Sequence, residues 1–185
     1  RCTYCASRLL SPQFTQRSPE AVFQELLHLR RVKDIQDVAL YDDALLVNAS
    51  THLEPLLEQV IAAGLSVRFH VPNGLHARYI TERMASLMFR SGFTTLRLSL
   101  ETADPQRQQA TGGKVTGPEF EQAVNALTRA GFQGKQIGVY LFVGLPGQDW
   151  QETEATIHYV HGLGLLANVC EYSPIPGTPD WSILA

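Results

Sequence analysis

Turn signals divide this chain into strand-like and helix-like segments that alternate, and the strand starts recur about every 30 residues. Short runs rich in apolar and β-branched residues begin near Asp37, Leu65, Thr94, Gln136 and Leu166. The helical patterns between them have recognisable ends. Ser18-Pro19 opens a helix through about Val32, with proline suited to the first helical position. Thr51-His52-Leu53-Glu54 and Asp149-Trp150-Gln151-Glu152 read as capping boxes, for helices ending near Gly64 and His161. Further helices are expected from about Ala77 to Ser91, stopped by Gly92, and from Pro118 to Ala130, stopped by Gly131. One longer gap holds a glycine-rich loop with Gly112, Gly113 and Gly117, and Pro174, Pro176 and Pro179 are expected to break regular structure at the end. A repeated strand–helix unit of this length implies parallel strands with crossover helices. Two layouts satisfy it: an open doubly wound sheet, or a (β/α) barrel, whole or partial.

The strands favour the barrel. Val67, Phe69 and Val71 alternate with Arg68 and His70, and Leu96, Leu98 and Leu100 alternate with Thr95, Arg97, Ser99 and Glu101. Ile137, Val139, Leu141 and Val143 share one face of their strand. A doubly wound sheet packs helices on both faces, so its strands should be apolar throughout. One apolar and one polar face suit helices outside and a wet, ligand-sized lumen inside. The expected fold class is α/β, a partial (β/α) barrel of parallel strands, with Arg68, His70, Arg97 and Glu101 pointing inward. An edge strand with one solvated face would give the same alternation. In either α/β layout the site lies at the C-terminal strand ends. Those ends carry Tyr41-Asp42-Asp43, Pro72-Asn73-Gly74, Ser99-Leu100-Glu101-Thr102, Val143-Gly144-Leu145-Pro146-Gly147 and Tyr172-Ser173-Pro174.

At 185 residues, 44% hydrophobic and 18% charged, the chain is read as a single globular domain, 1–185. A net charge of −3 offers no basic footprint for nucleic acid. No apolar run approaches the roughly 20 residues of a membrane span, and no signal peptide is visible. Three cysteines are too few for a disulfide framework at this length, which points to a reducing, cytoplasmic setting. Because it opens on Arg1-Cys2 rather than Met, the chain reads as an excised or processed piece.

On spacing alone Cys2-Thr3-Tyr4-Cys5 is compatible with zinc sites, thioredoxin-like pairs, iron–sulfur clusters and a plain structural role. A zinc site wants further ligands, and Cys170 with six scattered histidines offers no good spacing. Cys170 lies in an apolar run and reads as packed. Gly112-Gly113-Lys114 lacks the spacing of a phosphate-binding P-loop.

Arg1-Cys2-Thr3-Tyr4-Cys5-Ala6-Ser7 resembles the second half of the C-x3-C-x-Φ-C signature of the radical S-adenosylmethionine (SAM) superfamily, with Tyr4 as Φ. The resemblance continues in order along the strand ends. It implies that Cys2 and Cys5 ligate a [4Fe-4S] cluster, with the first cysteine four positions before Cys2 and the first barrel strand also missing. It implies that Asp42 or Asp43 holds the SAM amino group and that Ser99 and Glu101 contact the ribose. Gly144 and Pro146 would lie near the adenine, Tyr172 would belong to the sixth-strand segment, and Lys114 resembles a lysine common after the fourth strand. The wording is most similar to members that often carry an upstream cobalamin-binding domain, so cobalamin is a further implied cofactor. The implied activity is reductive cleavage of SAM to a 5′-deoxyadenosyl radical, which then acts on a substrate the motifs do not name. The implied partners are that substrate and an electron donor. For the chain as given, the expectations are a frayed segment 1–7, no radical chemistry and self-association at the sheet edge left open by the missing first strand. A non-catalytic fragment and a zinc-stabilised barrel-like binding module are the alternatives.

Overall fold

The computed structural model describes residues 2–184. Its sheet is parallel throughout, in the order β1 (Asp37–Ala39), β2 (Arg68–His70), β4 (Phe93–Glu101), β5 (Ile137–Val143) and β6 (Leu166–Glu171). A two-residue strand, β3 (Leu75–His76), pairs with the outer half of β4, Leu75 opposite Leu98 and His76 opposite Ser99. The sheet ends at β1 on one side and β6 on the other, so the barrel is partial and open.

The expected division between faces is present. Phe69, Leu96, Leu98, Ile137, Val139 and Leu141 are almost fully buried in one continuous core with the helices. That core includes Leu53, Leu57 and Val60 of α3 (Leu53–Ala62), Met84 and Met88 of α4 (Glu82–Ser91), and Phe120 and Leu127 of α6 (Gly117–Ala130). On the opposite face polar side chains join across neighbouring strands. Asp37 accepts from Arg68 Nε and contacts His70 Nε2, while His70 Nδ1 meets Thr95 Oγ1. The short β1 and β2 pair in register, Asp37 with Arg68 and Ala39 with His70.

Several element ends follow the sequence chemistry. Ser18 caps α2 (Pro19–Lys33) by accepting from Ala21 N, with Pro19 in the first turn. Asp149 caps α7 (Trp150–Gly162) by accepting from Glu152 N, but the expected box is only half formed, because the Glu152 side chain bonds Arg107 and Thr102 instead. Gly92 and Gly131 close α4 and α6 in the left-handed conformation, at φ 98° and 115°. At Gly92 a Cβ would also meet the Val67 carbonyl oxygen at 2.4 Å.

Other ends differ from expectation. The Thr51 capping box does not form: a 3₁₀ turn covers Ala49–Thr51, Thr51 Oγ1 donates to Asn48 O, and α3 starts after an uncapped His52. The reciprocal box stands instead at Thr116 and Glu119, at the start of α6. The helix expected from Ala77 begins at Glu82, capped by Thr81, after a 3₁₀ turn at Ala77–Tyr79. Pro105 and Pro179 each stand in the first turn of a short helix, α5 (Pro105–Ala110) and α8 (Pro179–Leu184), so Pro179 starts regular structure rather than ending it. The remaining helix, α1 (Ser7–Leu10), follows the cysteine segment.

Candidate functional site

The C-terminal strand ends converge on a cavity of about 700 Å³, within the ordinary range for a ligand site. Cys2, Tyr4, Cys5 and Ser7 form one wall. Asp43 from the β1 end, Asn73 and Gly74 from the β2 end, and His76 from β3 form another. Ser99 of β4, Tyr140 of β5 and the Gly112–Lys114 loop complete it.

The cysteine segment is held in place. Thr3 N donates to Thr111 O, and Thr3 O accepts from Asp180 N of α8. Tyr4 packs edge-on against Phe142 at 5.1 Å, and Phe142 packs edge-on against Tyr172. Cys5 Sγ and Ser7 Oγ lie 3.1 Å apart, and Ser7 Oγ donates to Asp43 Oδ2. The expected fraying is therefore not found for Cys2–Ser7, because contacts from the glycine loop, α8 and β5 tie them down; Arg1 lies outside the described residues.

Two residues paired in the sequence part company. Asp43 lines the cavity with the cysteines, whereas Asp42 lines a separate cavity of about 350 Å³ between α2, β1 and α3. Ser99 is buried against Gly74, where a Cβ would fall 1.9 Å from Ser99 Oγ. Only glycine lets the β2–β3 turn approach β4 so closely.

Glu101 is buried, and its Oε1 accepts from Tyr4 Oη at 3.1 Å and from Lys114 Nζ at 2.9 Å. Burial, then the adjacent Glu101 charge, raise the Tyr4 phenol far above its ordinary value and keep it neutral. His76 stacks on Tyr79 at 6.0 Å. Burial, reinforced by Lys114 and Arg78, lowers its pKa from 6.5 to about 4, so its ring is neutral at physiological pH.

Gly144 and Pro146 belong to a loop organised by residues the sequence reading did not single out. Gln148 Oε1 accepts from Gly144 N and Leu145 N. Arg107 of α5 donates to Pro146 O at 2.6 Å and Gly147 O at 2.9 Å, while its Nε meets both oxygens of Glu152. Glu152 also accepts from Thr102 Oγ1. The available signal was Asp104-Pro105, a cap followed by proline, which places Arg107 at the start of a helix. Tyr172 is buried outside the main cavity and donates to Asp180 Oδ2, so its hydroxyl anchors α8. Cys170 is half-buried rather than fully packed, and burial, then the Glu101 charge, raise its thiol pKa.

Among the described residues, no three His, Cys, Asp or Glu side chains converge on a metal position. Cys2 and Cys5 thus stand as a pair of soft donors on the cavity wall. Such a pair suits a thiolate-held iron–sulfur cluster better than the four ligands of a structural zinc site.

The family model of the Radical SAM superfamily matches residues 1–160 of the chain. The chain belongs to the radical SAM superfamily. It is 26% identical, across 97% of its length, to an uncharacterized methyltransferase of Pyrococcus horikoshii, of which it covers 38%. It is 25% identical to a probable threonylcarbamoyladenosine tRNA methylthiotransferase of Pyrococcus abyssi, across 96% of this chain and 43% of that protein. The chain thus spans about two-fifths of the length of the curated relatives it matches. Among solved structures it is similar to the radical SAM methyltransferase TsrM from Kitasatospora setae with cobalamin and a [4Fe-4S] cluster bound. That likeness has a TM-score of 0.80 and 17% identity, over 97% of this chain and 36% of that one. Coproporphyrinogen III oxidase from Escherichia coli, a radical SAM enzyme, gives a TM-score of 0.67 and 15% identity, over 95% of this chain and 42% of that one. These likenesses to solved structures show a shared fold.

Proposed function

We propose that this chain is the core domain of a radical SAM enzyme, in which Cys2 and Cys5 supply two of the three thiolates of a [4Fe-4S] cluster and the adjoining cavity binds SAM. The observation that supports this reading is the placement of both thiols, Asp43 and Ser99 on one cavity at the C-terminal strand ends. When bound, the cluster supplies the electron that breaks the SAM sulfonium bond and releases a 5′-deoxyadenosyl radical, chemistry that belongs to the cofactors.

The chain's own residues bind, orient and exclude water. Asp43 is placed to accept hydrogen bonds from the SAM ammonium, exchanging its present donor Ser7 for a charged one. Asp42 lines a different cavity, so Asp43 is the acidic residue we assign. Ser99 Oγ and the second oxygen of Glu101 face the ribose hydroxyls in this reading. Gly144 and Gly147, both at positive φ with open space where a Cβ would stand, leave the backbone accessible to the adenine. Tyr172 acts through α8, holding the cysteine segment from behind.

The substrate enters the same cavity, on the side of His76, Tyr79 and Tyr140. A one-electron reductant is the required partner. Free thiols and an iron–sulfur cluster both favour a reducing setting, which supports a cytoplasmic one. The fold likeness to TsrM, which binds cobalamin, supports cobalamin as a second cofactor, carried by a domain outside this chain.

The test is anaerobic reconstitution of the full-length protein with iron and sulfide, followed by SAM, dithionite and measurement of 5′-deoxyadenosine. Wild type should hold four irons and produce 5′-deoxyadenosine, and Cys2→Ser with Cys5→Ser should lose both. Undiminished product from the double variant overturns the reading. Stoichiometric zinc without iron would instead establish the zinc-stabilised module.

A further inference from the structure

Among the described residues only three besides glycine have positive φ, and two of them, Asp34 and Asn48, are the ordinary short polar types beside helix ends. The third is Glu101, at φ 69°, the last residue of the longest strand. Pairing with β5 slips there, since Ser99 faces Tyr140 but Glu101 faces Leu141. A slip of this kind bends a strand and re-aims a side chain. A glutamate held in this region is strained, and such strain persists only where the surroundings over-determine it.

The side chain is turned onto the cysteine segment. Its Oε1 takes both the Tyr4 hydroxyl and the Lys114 ammonium. Both members of the ion pair are deeply placed, with side chains 16% and 8% exposed for Lys114 and Glu101. A carboxylate so buried needs its cation, and losing one partner leaves an uncompensated charge. Tyr4 sits between the two cysteines, so what fixes its ring fixes the backbone carrying both thiols. The far side of that ring is already held by Phe142. Lys114 comes from the same loop as Thr111, whose carbonyl accepts from Thr3 N. The glycine loop thus grips the cysteine segment twice, once through backbone and once through Glu101.

We propose that Glu101 and Lys114 are positioning residues for the cluster-binding segment: they form a latch that holds Tyr4, and through it Cys2 and Cys5, in place before any ligand arrives. The proposal rests on the reading of Cys2 and Cys5 as cluster ligands and adds a role that contact with SAM does not contain. The slipped end of β4 and the strained backbone of Glu101 are what aim the latch.

The experiment uses the full-length protein with Tyr4→Phe, Glu101→Gln, Tyr4→Phe/Glu101→Gln, Lys114→Met and Lys114→Arg. Three quantities are read: iron loss from the reconstituted protein to a ferrous chelator, hydrogen exchange of residues 2–7 in the metal-free protein, and SAM affinity by calorimetry. Tyr4→Phe keeps the ring against Phe142 and removes only the hydroxyl. It should raise iron loss and exchange by roughly tenfold, the size expected for one hydrogen bond to a charged group. SAM affinity per retained cluster separates the latch from direct contact, since a residue that only contacts SAM changes it without changing exchange of residues 2–7. The double variant should be no worse than the worse single one, because both break one linkage. Lys114→Met should loosen the segment and Lys114→Arg should restore it.

Additive effects in the double variant, or unchanged iron loss and exchange in Tyr4→Phe, overturn the latch. A Glu101→Gln variant that changes SAM affinity alone makes Glu101 purely a ligand-contact residue and also overturns it. If wild type takes up no iron, the proposed function fails, while exchange in the metal-free protein still decides the latch.

Discussion

Single residues in this molecule show how much of the site is set by environment. His76 has an ordinary value of 6.5 and is held near about 4 by burial first, then by Lys114 and Arg78. Its folded pKa is below its unfolded one, so between those values the unfolded chain binds a proton that the native state refuses. Its contribution to stability is therefore complete above pH 6.5 and declines as pH falls toward 4. Asp37, lowered from 3.8 to about 2 chiefly by its hydrogen bond from Arg68, acts in a separate and more acidic window. Urea midpoints of the metal-free protein between pH 7.5 and 4.5 test this. His76→Gln should flatten the slope between about pH 6.5 and 4, and an unchanged slope would assign the titration elsewhere. Arg107 is a second case. Removing it leaves Glu152 without its cation, though still bonded by Thr102, and takes the Arg107 donors from two loop carbonyls, with side-chain exposures of only 18% and 15% for Arg107 and Glu152. Arg107→Ala should lower unfolding free energy by about 2–3 kcal/mol. Arg107→Lys should recover little of it, since an ammonium cannot make the same forked contacts. Denaturant titration measures both.

At the scale of elements, the sequence was most legible where a local signal and the tertiary structure agreed. Ser18-Pro19, Asp149, Gly92 and Gly131 bound their helices where local chemistry places them. The alternation of Leu96, Leu98 and Leu100 with Arg97, Ser99 and Glu101 correctly separated core from lumen. It failed where a motif was satisfied on paper by two places. Thr51 and Thr116 both stand three residues before a glutamate, but Leu53 is fully buried in the core and the chain reaches it through a 3₁₀ turn, which leaves the Thr51 hydroxyl on Asn48 O. Thr116 has no such competitor and caps α6 reciprocally. Thr116→Ala should therefore cost about 1 kcal/mol, against less than about 0.5 kcal/mol for Thr51→Ala, by urea denaturation of the two variants side by side. Equal costs would mean the two ends are held alike. The β3 strand and the Glu101 slip were invisible for a different reason: β3 depends on Gly74 letting one backbone press against Ser99, and the slip on the register of β4 against β5, neither of which a local pattern encodes.

At the scale of the whole molecule, the apolar outer face is finished and the sheet is not. β1 is a three-residue edge strand, and β6 is a six-residue edge strand whose Leu166 and Val169 are 51% and 49% exposed. An edge of that length with apolar side chains is a template for another chain. The β1 side is better defended, because Asp37 and Ala39 are exposed, the strand is short, and Arg68 and His70 engage the Asp37 carboxylate. Association of the 185-residue chain should therefore run through β6 rather than β1. Sedimentation velocity across a concentration series should show a rising mass-average for wild type. Leu166→Lys with Val169→Lys should return the chain to monomer while leaving its thermal midpoint within a few degrees, since neither side chain belongs to the core. Val38→Lys on β1 should leave association unchanged. A monomeric wild type at every concentration would show that the twist of the open sheet already protects the β6 edge. Loss of association in Val38→Lys alone would place the contact on the opposite side.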